Sequence, residues 1–260
     1  MKGIDLDHRP GLGSVPLVAA LLLAAAPVHA EESAAKSLLD EARAAYAGRH
    51  DPAKAKLAFD LYEKALAAGA GYAAMWEGAR CAADLGSSRM QRAKRGEKRA
   101  IFAKGVEFAR LATKLRPSGA EGHLYLAITM GHHAESQSFL HQMSIASELR
   151  REAEQAVKLN PAAECGTPLR VLGMYYLRLP NAFGGSDREG LKLIERAAQI
   201  CRDDVDTSMD YAEALAENGQ RDKAIELLEW VLANPPSGAA DKVGYRRTKA
   251  EAEKRLEALR

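Results

Sequence analysis

The chain has 260 residues, 47% of them hydrophobic and 28% charged, with a formal net charge of +2 and three cysteines. This balance allows a sizeable core and excludes a disordered chain, a cysteine-stapled miniprotein and any polyanion binder that relies on global charge.

Residues 1–30 read as a cleaved secretory signal. Lys2 and Arg9 precede the apolar stretch SVPLVAALLLAAAPV, and Val28-His29-Ala30 places small residues at both recognition positions before Glu31. A periplasmic protein is expected, with residues 31–260 as a single all-α domain. No later segment approaches the roughly 18 consecutive apolar residues that a membrane crossing needs. No cysteine lies at the cleavage point to be acylated, so contact with the outer membrane would be peripheral.

After residue 33 apolar residues recur at three-and-four spacing and β-type alternation is essentially absent, which predicts helices throughout. Asp51-Pro52, Ser118 with Glu121, Thr167-Pro168, and Ser186 with Glu189 mark helix starts, the two Ser/Glu pairs as capping boxes. The helices come in pairs. In TSMDYAEALAENGQRDKAIELLEWVLANPP, Tyr211, Ala212, Leu215, Gly219, Ala224, Leu228, Val231 and Pro236 fall at the spacings of a 34-residue tetratricopeptide repeat. The second-helix pattern recurs earlier as Gly190, Ile194, Ala197 and Arg202; as Leu149, Ala153, Ala156 and Pro161; as Gly105, Ala109, Ala112 and Pro117; and as Ala58, Tyr62 and Ala65.

About five such repeats are expected, closed by a polar capping helix over 241–260. Successive repeat ends, Pro117, Pro161, Arg202 and Pro236, lie 44, 41 and 34 residues apart. The earlier repeats therefore carry extra residues between their two helices, and stacking would project these insertions from one rim.

Three segments resemble one known family: GAEGHLYLAITMG (119–131), LRVLGMYYLRLPNAFGGSDREGLKLIERAAQI (169–200) and the regular last repeat. Together they are similar to the T-component family of TRAP (tripartite periplasmic) transporters, over roughly residues 70–235, and also to a relative of that family in bacterial sterol trafficking. The resemblance implies a helical bundle of cryptic tetratricopeptide repeats, in some members a trimer with a channel through each subunit. It implies as partners a periplasmic solute- or lipid-binding protein and a membrane transporter, and leaves a homo-oligomer open. The missing lipobox cysteine departs from the many lipoproteins of that family.

His132, His133 and His141 do not make a metal site, because adjacent helical histidines point about 100° apart and no second cluster has metal spacing. Gly184-Gly185-Ser186-Asp187 lacks the strand-to-helix elbow that exposes a nucleophilic serine; it reads as a turn and a helix cap. The basic segment Arg89, Arg92, Lys94, Arg95, Lys98, Arg99 and Lys104 has only Phe102 as an aromatic and belongs to no nucleic-acid module. Like the acidic run Asp203, Asp204, Asp206, Asp210, Glu213 and Glu217, it reads as solvated surface. Of the cysteines, Cys81 is expected inside a helix, and a bridge between Cys165 and Cys201 is left open.

No catalytic residues, metal or cofactor are therefore expected. The candidate ligand-binding residues are Trp76, Tyr125, Met130, Phe139, Met143, Tyr175, Tyr176 and Phe183, soft or aromatic side chains in first helices and insertions, suited to an apolar molecule such as a lipid or sterol. The rival expectation is a protein-interaction scaffold with no small-molecule ligand.

Overall fold

The computed structural model describes residues 18–89, 95–135, 137–235 and 239–260, and every regular element in them is helical. Residues 1–17 of the expected signal lie outside the described residues; from Val18 the backbone is helical through Ala30 and on to the end of helix α1 (Val18–Ala47). Among the described residues no helix is long and apolar enough to cross a membrane.

Helix α1 pairs with α2 (Pro52–Ala67), which starts where the Asp51 carboxylate accepts the Ala53 N–H at 2.8 Å, with Pro52 in the first helical position. Next, α3 (Tyr72–Asp84) runs through a π-turn at Leu85–Arg89 and pairs with α4 (Arg95–Leu115). Of the basic cluster, Arg92 and Lys94 lie outside the described residues, while Arg95, Arg99 and Lys104 are exposed.

The third pair is α5 (Ala120–Glu135) and α6 (Phe139–Leu159). Here the expected capping box does not form. The Glu121 carboxylate accepts the Tyr72 hydroxyl at 3.0 Å, and Tyr72 in turn accepts the Gly122 N–H at 3.1 Å, so a side chain of the preceding unit satisfies the start of α5. The extra residues are also placed differently from expectation. They lengthen α5 and α6 to 16 and 21 residues, against 13 and 13 in the regular last pair, instead of forming a loop between them.

Helices α7 (Ala163–Arg178) and α8 (Asp187–Ile200) form the fourth pair. Glu164, Cys165 and Gly166 are left-handed (φ 44°, 61° and 79°), and the right-handed run follows at Thr167-Pro168, the expected start. The turn LRLPNAFGGSD does lie between the paired helices. Gly184 is left-handed (φ 92°), and a Cβ on Gly185 would overlap the Leu179 carbonyl oxygen. Ser186 caps α8 by accepting the Glu189 N–H at 3.3 Å, but its own N–H donates to the Tyr176 carbonyl at 2.9 Å, so only half of the capping box is made. The small residues expected at the helix crossing are needed there: a Cβ on Gly190 would lie 2.9 Å from the Gly173 carbonyl oxygen and 2.6 Å from Leu177 Cγ.

The regular pair α9 (Val205–Glu217) and α10 (Arg221–Ala233) is covered by the final helix α11 (Ala239–Leu259), whose Tyr245, Ala252 and Leu256 pack on Met209, Leu228 and Val231. The five pairs build two main cores. One, around Phe59, Tyr62, Phe108 and Leu124, spans α1 to α6; the other joins α9, α10 and α11. Between them Ala127, Ala153 and Leu172 form a smaller cluster, with Leu149, Val157, Val171, Tyr176 and Leu193 packed against it. Helix α6 has no buried residue before Ala153: Ile145 and Leu149 lean partly buried on the larger core, and Phe139 and Leu140 in its first turn are exposed.

Candidate functional site

The first helices α1, α3, α5, α7, α9 and α11 line the inner face of the array, and charged side chains stitch them together. Three carboxylates there each take one arginine and one tyrosine. Glu77 accepts both Arg43 Nε and Nη2 (2.8 and 2.7 Å) and the Tyr62 hydroxyl (3.1 Å). Asp84 accepts the Tyr46 hydroxyl at 2.5 Å and lies 3.5 Å from Arg49. Glu164 accepts the Tyr125 hydroxyl at 3.0 Å and lies 3.4 Å from Arg80, whose guanidinium stands over the rings of Tyr46 and Trp76. Burial, reinforced by Glu164, pushes the Tyr125 hydroxyl well above its ordinary pKa, so it stays protonated and donates. Further along, Arg170 on α7 pairs with Asp210 on α9, and Arg255 on α11 pairs with Glu213 on α9, each at 2.8 Å.

The left-handed turn at the start of α7 aims Glu164 across this face. Cys165 is joined to Cys201 at the end of α8, with Cα atoms 5.3 Å apart, so the bridge left open by the sequence is formed. Cys81 is free and buried in α3, where burial pushes its thiol up to about 12 and leaves it unreactive at neutral pH.

Where the cores part, α5, α6 and α7 leave a cleft of about 410 Å³. Ile128, Met143, Ile145, Leu149, Val171, Met174 and Tyr175 form its apolar walls; His132, Glu135, Arg170, Arg178 and Asp210 bring polar groups to it. The cause is local: the lengthened α6 carries Met143 past the end of the core, and α7 faces it without filling the gap. Mostly apolar walls with a few placed polar groups suit recognition, and the volume is within the usual range for ligand pockets, about 300–1,000 Å³.

The predicted residues divide. Met143 and Tyr175 line the cleft. Tyr176 meets Tyr175 edge-to-face and its hydroxyl reaches Glu154 at 3.4 Å. Phe139 lies one helical turn before Met143, and Phe183 just beyond Leu179, another wall residue; the two rings meet edge-to-face with centroids 5.9 Å apart. They remain 53% and 52% exposed, beside Leu140 at 79%, and so form an apolar lip near the cleft. Trp76 and Tyr125 stack on each other at 5.9 Å in the Arg80 network and do not reach the cleft, and Met130 is buried in the larger core. Of the histidines, His132 stacks on Phe102 and lies 3.4 Å from Glu135, while His133 bonds Gln137. Missed in the sequence were Arg80, Glu77, Asp84, Glu164, Arg170 and Asp210, whose partners lie up to 84 residues away.

Among solved structures the chain is similar to TTC0263, a thermophilic tetratricopeptide-repeat protein of Thermus thermophilus, at 16% identity and a TM-score of 0.60, covering 82% of this chain and 98% of that one. At that identity the likeness shows the tetratricopeptide-repeat fold alone. YrrB, described as a tetratricopeptide-repeat protein with an unusual peptide-binding site, is matched at 15% identity and a TM-score of 0.44, over 76% of this chain and 90% of that one. No curated protein matches the sequence. Residues 38–181 match the family described as Regulator of microtubule dynamics protein 1-3. That stretch holds α2 to α7 entire, with the three Arg–carboxylate–Tyr groups and most of the cleft walls, and because it is more than half of the chain, the protein belongs to this family.

Proposed function

We propose that this protein is a non-enzymatic interaction scaffold that holds a segment of a partner protein in the cleft between α5, α6 and α7. The observation that carries the reading is the cleft with its exposed aromatic lip. It offers an apolar anchor site open at one side, which a side chain or short helix of a partner can enter without unfolding the array. The ion-paired inner face supports this reading by making the scaffold stiff. A rigid receptor loses little entropy on binding.

The secretory start and the Cys165–Cys201 bridge together support a periplasmic setting, since disulfides persist in oxidising compartments. A transport system such as that served by T-components is then the proposed context.

A photo-crosslinking residue placed at Met174, on the cleft wall, tests the reading in cells. Adducts with one defined protein, absent when the probe sits at the exposed Leu111 on α4, are expected. The cleft's size favours a second reading, an apolar molecule such as a lipid or sterol as occupant. Adducts at Met174 made only of lipid would replace the first reading with the second.

A further inference from the structure

The cleft does not end at Asp210. A smaller one of about 170 Å³ continues from it, sharing Met174, Arg178 and Asp210 and adding Leu177, Glu213, Ala214 and Glu217. Its charged wall is α9. Asp206, Asp210, Glu213 and Glu217 follow one another at steps of four, three and four residues, which puts them on one face of that helix, and α9 contains no lysine or arginine. Arg170 answers Asp210 and Arg255 answers Glu213, whereas Glu217 is exposed at the far end. With Arg255 counted beside Glu213, the two clefts carry four carboxylates, Glu135, Asp210, Glu213 and Glu217, against three guanidinium groups, Arg170, Arg178 and Arg255, and the excess negative charge sits at Glu217.

An apolar groove running into a net acidic one is complementary to a segment of matching order. We propose that the bound partner segment carries a large apolar anchor followed closely by lysine or arginine, the anchor seated among Met143, Met174 and Tyr175 and the basic residue against Glu217. The inference rests on the cleft being the binding site and adds the chemistry of what binds. An acidic segment would bring its charge against those carboxylates, where like charges weaken association and slow encounter. Because Glu217 lies in the open, the attraction is screened by salt.

Selection from a displayed library of random 12-residue peptides against the full chain tests it, followed by binding of the selected peptides to two variants. Met174→Trp fills the wall common to both clefts without changing charge; Glu217→Lys reverses the exposed charge without touching the core. Enriched peptides are expected to carry Leu, Phe or Met next to Lys or Arg and to lose binding to Met174→Trp. They should bind Glu217→Lys about five-fold more weakly at low salt, with the difference shrinking as salt rises. Peptides that need the Met174 wall but are acidic or neutral, or are indifferent to Glu217→Lys, overturn the charge inference and leave the cleft reading standing. Failure to select any peptide dependent on Met174 overturns both.

Discussion

Replacing Glu77 by alanine is expected to destabilise the protein by about 2–4 kcal/mol, far more than loss of a surface charge. Glu77 is buried, at 6% exposure, and it is the acceptor for the hydroxyl of Tyr62, which is 0% exposed. Removing the carboxylate leaves that hydroxyl without its partner and no water to replace it. Arg43, by contrast, is 45% exposed and can turn to solvent, so most of the loss comes from the tyrosine. Tyr62→Phe made in the same chain should recover part of it, because the stranded hydroxyl is then gone. Urea unfolding of the two single variants and the double variant gives the coupling directly. Additive effects, or a loss below about 0.5 kcal/mol for Glu77→Ala, would show that the group is a surface ion pair of the ordinary kind.

Breaking the Cys165–Cys201 bridge has the second large effect, a loss of about 4 kcal/mol on the chain-entropy estimate for a loop of this size. In melting temperature this is roughly 8–16 °C for a chain of this length. The bridge spans a sequence separation of 36 residues and holds the end of α8 to the left-handed turn that opens α7. Glu164 and Cys165 occupy a backbone region that costs about 1–2 kcal/mol per non-glycine residue, so the turn is expected to relax once the tether is cut. Glu164 then withdraws from Arg80 and Tyr125. Trp76 stacks on Tyr125 and lies under Arg80, so its fluorescence reports the change, while Trp230 on α10 is a constant background. Reduction, or Cys165→Ser with Cys201→Ser, should lower the melting temperature and shift the Trp76 signal together. A shift in melting temperature with unchanged Trp76 emission would separate the bridge from the inner face.

The periodic part of the fold is legible in the sequence because each clue is local. Gly190, Ile194 and Ala197 lie within two turns of one helix, and their small and large volumes state how closely a neighbour can approach. The turn at 180–186 is legible for the same reason, down to Gly184 and Ser186. The longer repeat between Pro117 and Pro161 misleads, since added residues count alike whether they form a loop or extend two helices; only packing decides, and here α6 grows past the core. The start of α5 misleads too, as a hydroxyl from 50 residues earlier takes over the capping.

The candidate site is half legible. Met143 and Tyr175 follow from their type and place, and Phe183 meets Phe139 edge-to-face while both stay half exposed, a pairing between two insertions that no periodicity encodes. The arginine network is invisible to spacing arguments, because Arg80 and Glu164 look like solvated charges until stacking of the first helices brings them face to face. The same holds for the acidic run on α9. Taken alone it is solvated surface; beside Met174 and Leu177 it becomes the wall of a groove.

The central claim is that the gap between α5, α6 and α7 is where this protein holds its partner. Methyl spectra of the chain labelled at methionine, recorded as a cleft-binding peptide is added, test it most directly. Met143 and Met174 stand in the cleft wall, while Met130 and Met209 are buried in the two cores. The account predicts that the Met143 and Met174 signals move with saturating peptide and that those of Met130 and Met209 stay in place. Saturable binding that moves Met209 or Met130 and leaves Met143 and Met174 unchanged would contradict it.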